Sequence, residues 1–350
     1  MDNKINVLFL TKYSEKGASS RYRFYNYKPY LNKNNITATY QPLFGDRYLT
    51  HLYKGNPIRK ALFAIYYIIK RFVFLLLNAN KYNHVVIEAE LFPHFDFKLD
   101  YFFLKRLKSF SLDFDDNISA NYQNTSQKDK IPRMMELAKF VTVGNHWYFT
   151  EFKGNLIYLP TVIDIEKYPQ YNLGSKHEDD IPTIVWIGSL STQKYILLIS
   201  DVLEKIAVQT RFKLKIIGGN ISVPPGIHVE YVKWDKETEN QELAMSDIGI
   251  MPLEKTYWEM GKCGFKLIQY MASGISVIAT GLPANKEIVQ NGISGFIADD
   301  MKDWEEKLVR LLTDRKQRNG MGAQGRLEIE KRYTYQVWGD KYSDIIKSNL

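Results

Sequence analysis

Residues 259–280 read EMGKCGFKLIQYMASGISVIAT, and the fold turns on how this stretch is read. Lys262 and Lys266 stand at the start of a helical pattern carried by Ile268, Met271 and Ala272. Gly274 closes that helix, and Val277-Ile278-Ala279 begins a strand. The first N–H groups of a helix lack intrahelical partners and carry the positive end of its dipole, so a helix start is an anion site. Two lysines beside it suggest a diphosphate rather than a carboxylate. A buried amphipathic helix with a solvated basic first turn satisfies the same spacing.

Strand and helix alternate outward from this segment in both directions. In the first half, strand-like runs fall at Ile5–Leu10, 85–87, Phe110–Phe114 and 140–143. An aromatic-rich helix follows the first of them from about Arg21. In the second half the runs fall at Thr183–Ile187, 214–217, His228–Val232, 247–251 and 276–279. Strands separated by helices imply right-handed crossovers and parallel sheets, hence an α/β chain of two Rossmann-like halves. Between residues 156 and 182 the periodicity breaks in a polar, proline-bearing stretch. The expected division is a domain over 1–165, a linker over 166–182 and a domain over 183–332, with a C-terminal helix over 333–350 packing back on the first domain.

With 350 residues, the chain is long enough for two cores. The N-terminus MDNKINVLFLTKY enters a strand-like run directly, so no cleavable leader is expected. The single cysteine, Cys263, excludes an internal disulfide framework and fits a reducing cytoplasm. It reads as a space-filler beside Gly264 more readily than as a catalytic thiol, since no paired His stands nearby. Lys and Arg total 47 against 39 Asp and Glu, a net charge of +8 that points to anionic partners. No zinc-ligand pair or aromatic RNA-recognition signature is present, so nucleic acid is not expected among them.

Residues 57–79, PIRKALFAIYYIIKRFVFLLLNA, are strongly apolar but interrupted by Lys70 and Arg71. The interruption argues against a transmembrane span. The segment is expected to pack partly in the first core and partly at a membrane surface, where Arg59, Lys60, Lys70 and Arg71 favour anionic head groups.

The run GKCGFKLIQYMASGISVIAT at 261–280 resembles the donor-binding segment of family-4 glycosyltransferases of the GT-B fold. Tyr270-Met271-Ala272-Ser273-Gly274-Ile275-Ser276-Val277-Ile278-Ala279 follows that family's Ala-Met-Ala-x-Gly-x-Pro-Val-Val-Ala, and Glu287-Ile288-Val289, Asn291-Gly292 and Gly295-Phe296 fit its tail. Where the family carries two glutamates this chain has Gly261 and Gln269. Gln269 can still hydrogen-bond a ribose hydroxyl. Glu259 is a candidate displaced carboxylate. The run from Trp186 to Lys194, WIGSLSTQK, resembles the family's strand–Gly-Arg-Leu–Lys loop, with Gly188 letting the backbone approach a phosphate, Ser189 in place of the arginine and Lys194 on the diphosphate lysine. Lys233 and Trp234 follow a strand where the family contacts the nucleobase; Trp234 either stacks on a base or packs at the surface.

The resemblance implies two parallel-sheet domains facing a central cleft, the first taking the acceptor and the second a nucleotide-sugar donor. Lys194, Lys262 and Lys266 would then stabilise the departing diphosphate, with Gly264 and Phe265 at the helix start. The first-domain residues Gly17, Ser19, Arg21, Arg23, Glu90, Asp113, Asp115 and Asp116 are the acceptor or cleft candidates. Asp113-Phe114-Asp115-Asp116 also invites a metal-binding reading, with Mg²⁺ taking such oxygens, although the GT-B pattern requires no metal or other cofactor. The implied activity is retaining sugar transfer to a lipid-linked or saccharide acceptor in bacterial surface-polysaccharide assembly, by a cytoplasmic protein with peripheral contact to anionic membrane. The alternatives are a non-catalytic sugar-nucleotide-binding protein and a metal-dependent transferase using Asp113 and Asp115. A nicotinamide-dependent oxidoreductase is not supported, because no G-x-G-x-x-G follows a strand.

Overall fold

The computed structural model describes residues 4–49, 57–169 and 181–350. The chain forms two compact units, residues 1–162 with 335–350 and residues 163–334. Each is built on a six-stranded parallel sheet.

In the first unit the strands are β1 (Ile5–Leu10), β2 (Ile36–Tyr40), β3 (His84–Glu88), β4 (Phe110–Phe114), β5 (Val141–Val143) and β6 (Leu156–Tyr158). Their order is β2-β1-β3-β4-β5-β6, so the chain winds out to β2 and returns to lay β3 beside β1. The register Val7↔His84 through Leu10↔Ile87 fixes that return. Val7, Phe9 and Val86 from the strands, with Phe140 just before β5, meet Phe24, Tyr27 and Leu31 in one core. Tyr335, Tyr342 and Ile346 of the helix Tyr335–Ser348 complete that core from the far end of the chain. Gly339 permits the contact, since a Cβ there would overlap the Tyr30 ring.

In the second unit β7 (Thr183–Ile187), β8 (Lys213–Ile217), β9 (His228–Val232), β10 (Ile248–Met251), β11 (Ser276–Thr280) and β12 (Phe296–Ala298) follow the order β12-β11-β10-β7-β8-β9. Winding reverses between β7 and β10, where Ile248 pairs with Ile184. Every residue of β7 and β11 is buried, as continuous apolar runs in a sheet covered on both faces require. Trp186, Ile216, Ile250 and Ile278 pack with Trp304, Leu308 and Leu311 of the helix Met301–Thr313.

Three differences from the sequence reading stand out. The strands β2, β6 and β12 are additional, and β6 occupies residues that had seemed irregular. Three residues such as Leu156–Tyr158 carry too little local pattern; it is pairing with β5, Val141↔Leu156 through Val143↔Tyr158, that makes them a strand. The expected linker at 166–182 lies largely outside the described residues. The helix after β1 begins at Ala18, with Gly17 as its N-cap, ahead of the expected Arg21.

The helix Pro57–Asn78 is also more continuous than its charges suggested. It overlaps a segment, Ile58–Lys81, long and apolar enough by composition to cross a membrane. Arg71 does not break it, because this side chain turns inward and donates to the carbonyls of Thr11 and Gln41 at 2.8 Å each. Phe63, Ala64, Tyr67 and Ile68 pack on Leu43, Phe44 and Tyr48, and Phe72 packs on Phe92 and Phe103.

Candidate functional site

In doubly wound sheets ligands bind outside the carboxyl ends of the strands, at the point where winding reverses. In the second unit that point lies between β7 and β10. β7 delivers Gly188 there, whose N–H donates to Ile217 O at 3.0 Å. A Cβ on Gly188 would overlap the Trp186 ring and stand 2.9 Å from Lys266 Nζ. The Lys266 ammonium itself lies 4.3 Å from the centre of the Trp186 ring. Thus the β7 loop and the first turn of the helix Phe265–Ala272 converge on one bare stretch of backbone with a cation beside it. Gly264, at φ 67°, is the left-handed N-cap that turns the chain into this helix.

β8 adds a second glycine to the same place. Gly218 has φ 80°, and a Cβ there would overlap Gly188 O and lie 3.2 Å from Trp234 Cβ. Trp234 is thereby held next to the β7 loop, and its Nε1–H donates to Glu239 Oε2 at 2.6 Å. Trp234 is 40% exposed, and an exposed indole suits stacking on a planar ligand. Gln193 Oε1 accepts from Asn220 N at 2.7 Å, which ties the β7 and β8 loops together. Gln269 is buried on the same helix as Lys266, and among the described residues its amide makes no hydrogen bond.

The remaining sequence candidates in this unit are placed differently. Ser189 closes a local turn, its Oγ 2.8 Å from Ser191 Oγ and its N–H donating to Thr192 Oγ1. Lys194 is exposed, with Nζ 3.9 Å from Glu254 Oε2, just beyond β10. Lys262 Nζ lies 5.5 Å from the Trp258 ring, Phe265 is half-buried and Lys233 is exposed. Glu259, the candidate displaced carboxylate, is engaged within the second unit. It is buried in the short helix Tyr257–Met260, where its carboxylate accepts from the hydroxyls of Tyr195 and Thr256.

The first-unit candidates divide into occupied and open groups. Arg23 and Asp113 are removed from the ligand set by each other. Arg23 Nε and Nη2 donate to the two Asp113 oxygens at 2.9 and 2.5 Å, and both side chains are 1% exposed. Thr142 Oγ1 also donates to Asp113, and Arg23 Nη1 donates to Leu159 O at 2.6 Å. Burial pulls the Arg23 pKa down, but the Asp113 carboxylate outweighs it, and the guanidinium is held charged. Glu90 is likewise engaged, 2.7 Å from Lys130 Nζ and accepting from Tyr122 OH at 2.7 Å. Lys130 reaches Asp100 as well, at 3.2 Å. The metal reading of the aspartates therefore loses Asp113, and among the described residues no group of three or more His, Cys, Asp or Glu is arranged to hold an ion.

What stays open lies beside β1, β3 and β4. Ser19 Oγ, Ser20 Oγ and Lys12 N all donate to Glu88, at 3.1, 2.6 and 2.7 Å. Burial still pushes the Glu88 carboxyl up against those donors. Gly17 fits only as glycine, because a Cβ would overlap Tyr13 Cβ. Burial, then the Asp116 and Glu88 charges, push Asp115 up to about 7. Arg21 is 4% exposed, 5.0 Å from the Tyr22 ring, and among the described residues makes no side-chain hydrogen bond or ion pair. Gly218, Glu88 and Lys12 escaped the sequence reading. The Ile216-Ile217-Gly218-Gly219 run, a strand breaking into two glycines, carried the signal for the first of them.

Two doubly wound parallel sheets, the second with glycine loops and a lysine at its reversal point, have the topology of the GT-B fold. Residues 181–314, which lie within the second unit, match the family model described as glycosyl transferases group 1. A curated relative, the sulfoquinovosyl transferase SQD2 of Arabidopsis thaliana, is 25% identical over 190 residues, 49% of this chain and 35% of that protein. The chain thus spans about a third of the length of this curated relative. Among solved structures, sucrose-phosphate synthase from Thermosynechococcus elongatus superposes with TM-score 0.70 at 12% identity, covering 98% of both chains. The Anabaena HepE protein in complex with UDP and glucose does so with TM-score 0.66 at 12% identity, covering 98% of this chain and all of that one. At such identities the likeness establishes the fold.

Proposed function

We propose that the protein transfers a sugar from a nucleotide-sugar donor, held by the second unit, to a hydroxyl of a saccharide or lipid-linked acceptor in glycan assembly. The observation that carries this reading is the convergence of Gly188, Gly218, Lys266 and Trp234 at the reversal point of the second sheet. Bare backbone and an ammonium suit a diphosphate, and the half-exposed indole suits a base. The Gln269 amide, on the same helix as Lys266, suits a ribose hydroxyl. The Anabaena neighbour was also solved with UDP-glucose, which favours a uridine nucleotide here.

In this reading Lys266, with Lys262 and Lys194, opposes the charge that grows on the departing diphosphate as the glycosidic bond breaks. The transition state is oxocarbenium-like and configuration is retained, and the chemistry needs no divalent ion. Ser189 and Gly264 border the phosphate, and Lys233 stands beside the base. Arg21, with no side-chain hydrogen bond or ion pair among the described residues, is a first-unit cation suited to an anionic acceptor group. The lone Cys263 fits work in the cytoplasm.

A thermal-shift screen with UDP, GDP, ADP and their sugars, followed by transfer assays in excess EDTA, tests the reading. A stabilising nucleotide whose effect disappears in Lys266→Ala, with turnover lost and folding intact, is the expected outcome. Tight nucleotide binding without turnover across a donor and acceptor panel would leave the binding-protein alternative in its place.

A further inference from the structure

The helix Pro57–Asn78 is packed along one face and bare along the other. Inward, Arg71 and Leu75 are buried, and Tyr67, Ile68 and Phe72 lie on the first unit's core. Outward, Ile58, Leu62, Ile65, Tyr66, Ile69, Val73, Leu76 and Leu77 are all exposed, by 45 to 69%. Their spacing of three or four residues draws one stripe down the helix. At 1.5 Å per residue, the stripe runs for roughly 30 Å. Such a stripe exceeds the apolar patches that monomers ordinarily leave in water.

The charges are arranged just as unevenly. Residues 57–78 contain no Asp or Glu. The charged side chains that share the exposed arc are Arg59 and Lys70, eleven residues apart and therefore on one edge of the stripe, with Tyr66 between them. A second copy meeting this one stripe to stripe would bring the same cations, and from its residues 57–78 no carboxylate to meet them. An anionic lipid surface supplies both missing partners, acyl chains for the stripe and head groups for its edge. Tyrosine beside such an edge sits at head-group depth.

We propose that this helix docks the first unit onto anionic membrane, lying in the plane of the interface with its apolar face in the acyl boundary. A spanning orientation is incompatible with the inward face, because Arg71 is fixed to the Thr11 and Gln41 carbonyls. The inference does not depend on the donor chemistry proposed above. If the sugar-transfer reading fails, the docking surface stands, and the reverse also holds.

The test is flotation of the purified full chain with vesicles of phosphatidylglycerol and phosphatidylcholine, and with phosphatidylcholine alone. The protein should float with the anionic vesicles and far less with the neutral ones. Leu62→Glu with Ile69→Glu should abolish flotation without lowering Tm, since both side chains are exposed. Arg59→Gln with Lys70→Gln should weaken binding to anionic vesicles about 30-fold, from roughly 1 kcal/mol per cation near the surface. The proposal is overturned if the wild type does not float, or if Leu62→Glu/Ile69→Glu floats undiminished. Resistance to alkaline carbonate extraction would overturn the in-plane orientation. A dimer in sedimentation that Leu62→Glu/Ile69→Glu converts to monomer would reassign the stripe to a second copy.

Discussion

Replacing Asp113 by Asn separates a structural role from a ligand role. Asp113 accepts two bonds from Arg23 and one from Thr142, with both members of the pair 1% exposed. Asn keeps the shape but removes the charge, leaving the Arg23 guanidinium buried without its counter-ion. Breaking one side of a buried pair costs about 3–5 kcal/mol, a large share of the 5–15 kcal/mol by which domains are stable. In a unit of this size that corresponds to a fall in Tm of about 6–20 °C, at roughly 2–4 °C per kcal/mol. Urea unfolding followed by circular dichroism reads it, with the loss confined to the transition of the first unit. The Arg23→Met/Asp113→Leu double variant should recover most of the loss. The remainder, about 1 kcal/mol, reflects the Leu159 carbonyl left without its donor. If Asp113→Asn stays within 1 kcal/mol of wild type yet abolishes a metal-dependent turnover, the structural assignment is wrong and Asp113 belongs to the site.

Other consequences are as direct. Gly218→Ala places a Cβ against Gly188 O at a φ of 80°, a strain of about 1–3 kcal/mol, and should cost nucleotide binding in calorimetry along with stability. Glu259→Gln should shift unfolding while leaving donor KM near wild type, because its partners are the Tyr195 and Thr256 hydroxyls; a KM effect alone would return Glu259 to the sugar. His84 is fully buried between Ser109 and Ser111, its pKa lowered to about 4 by burial and then by Lys139. A depressed histidine supports the fold above its unfolded pKa of 6.5 and withdraws that support as pH falls towards 4. The span is about 2.5 units, or roughly 3 kcal/mol. His84→Gln should flatten stability between those pH values, and an unchanged pH profile would refute the assignment.

Much of the second unit was legible because its signals are local. Residues 184–187 and 277–279 are uninterrupted apolar runs, Gly264 and Gly274 mark turns at positive φ, and Gly188 marks a close approach that leaves no room for a Cβ. The approach of Gly188 to Lys266, across 78 positions, came through because each member sat in a segment resembling a known family. The first unit concealed more. Arg23 and Asp113 lie 90 residues apart, and nothing in either neighbourhood announces that each neutralises the other. An unpaired buried arginine and a ligand-seeking one look alike in sequence. Glu90 and Lys130 pose the same problem. The strands β6 and β12 were hidden for a different reason: three residues hold no period, and their conformation is imposed by the strand alongside.

The core of the first unit closes only with Tyr335, Tyr342 and Ile346, while the second unit is continuous from 163 to 334. This sets an order of events during synthesis. As the chain leaves the ribosome, the second unit has all its parts before the first does, although the first was made earlier. The nascent first unit must hold β1 and the Phe24–Leu31 region with its last wall missing until residue 346 emerges. Nonsense mutations late in the coding region, beyond every candidate site residue, would therefore act on the amino-terminal half and leave the second unit folded.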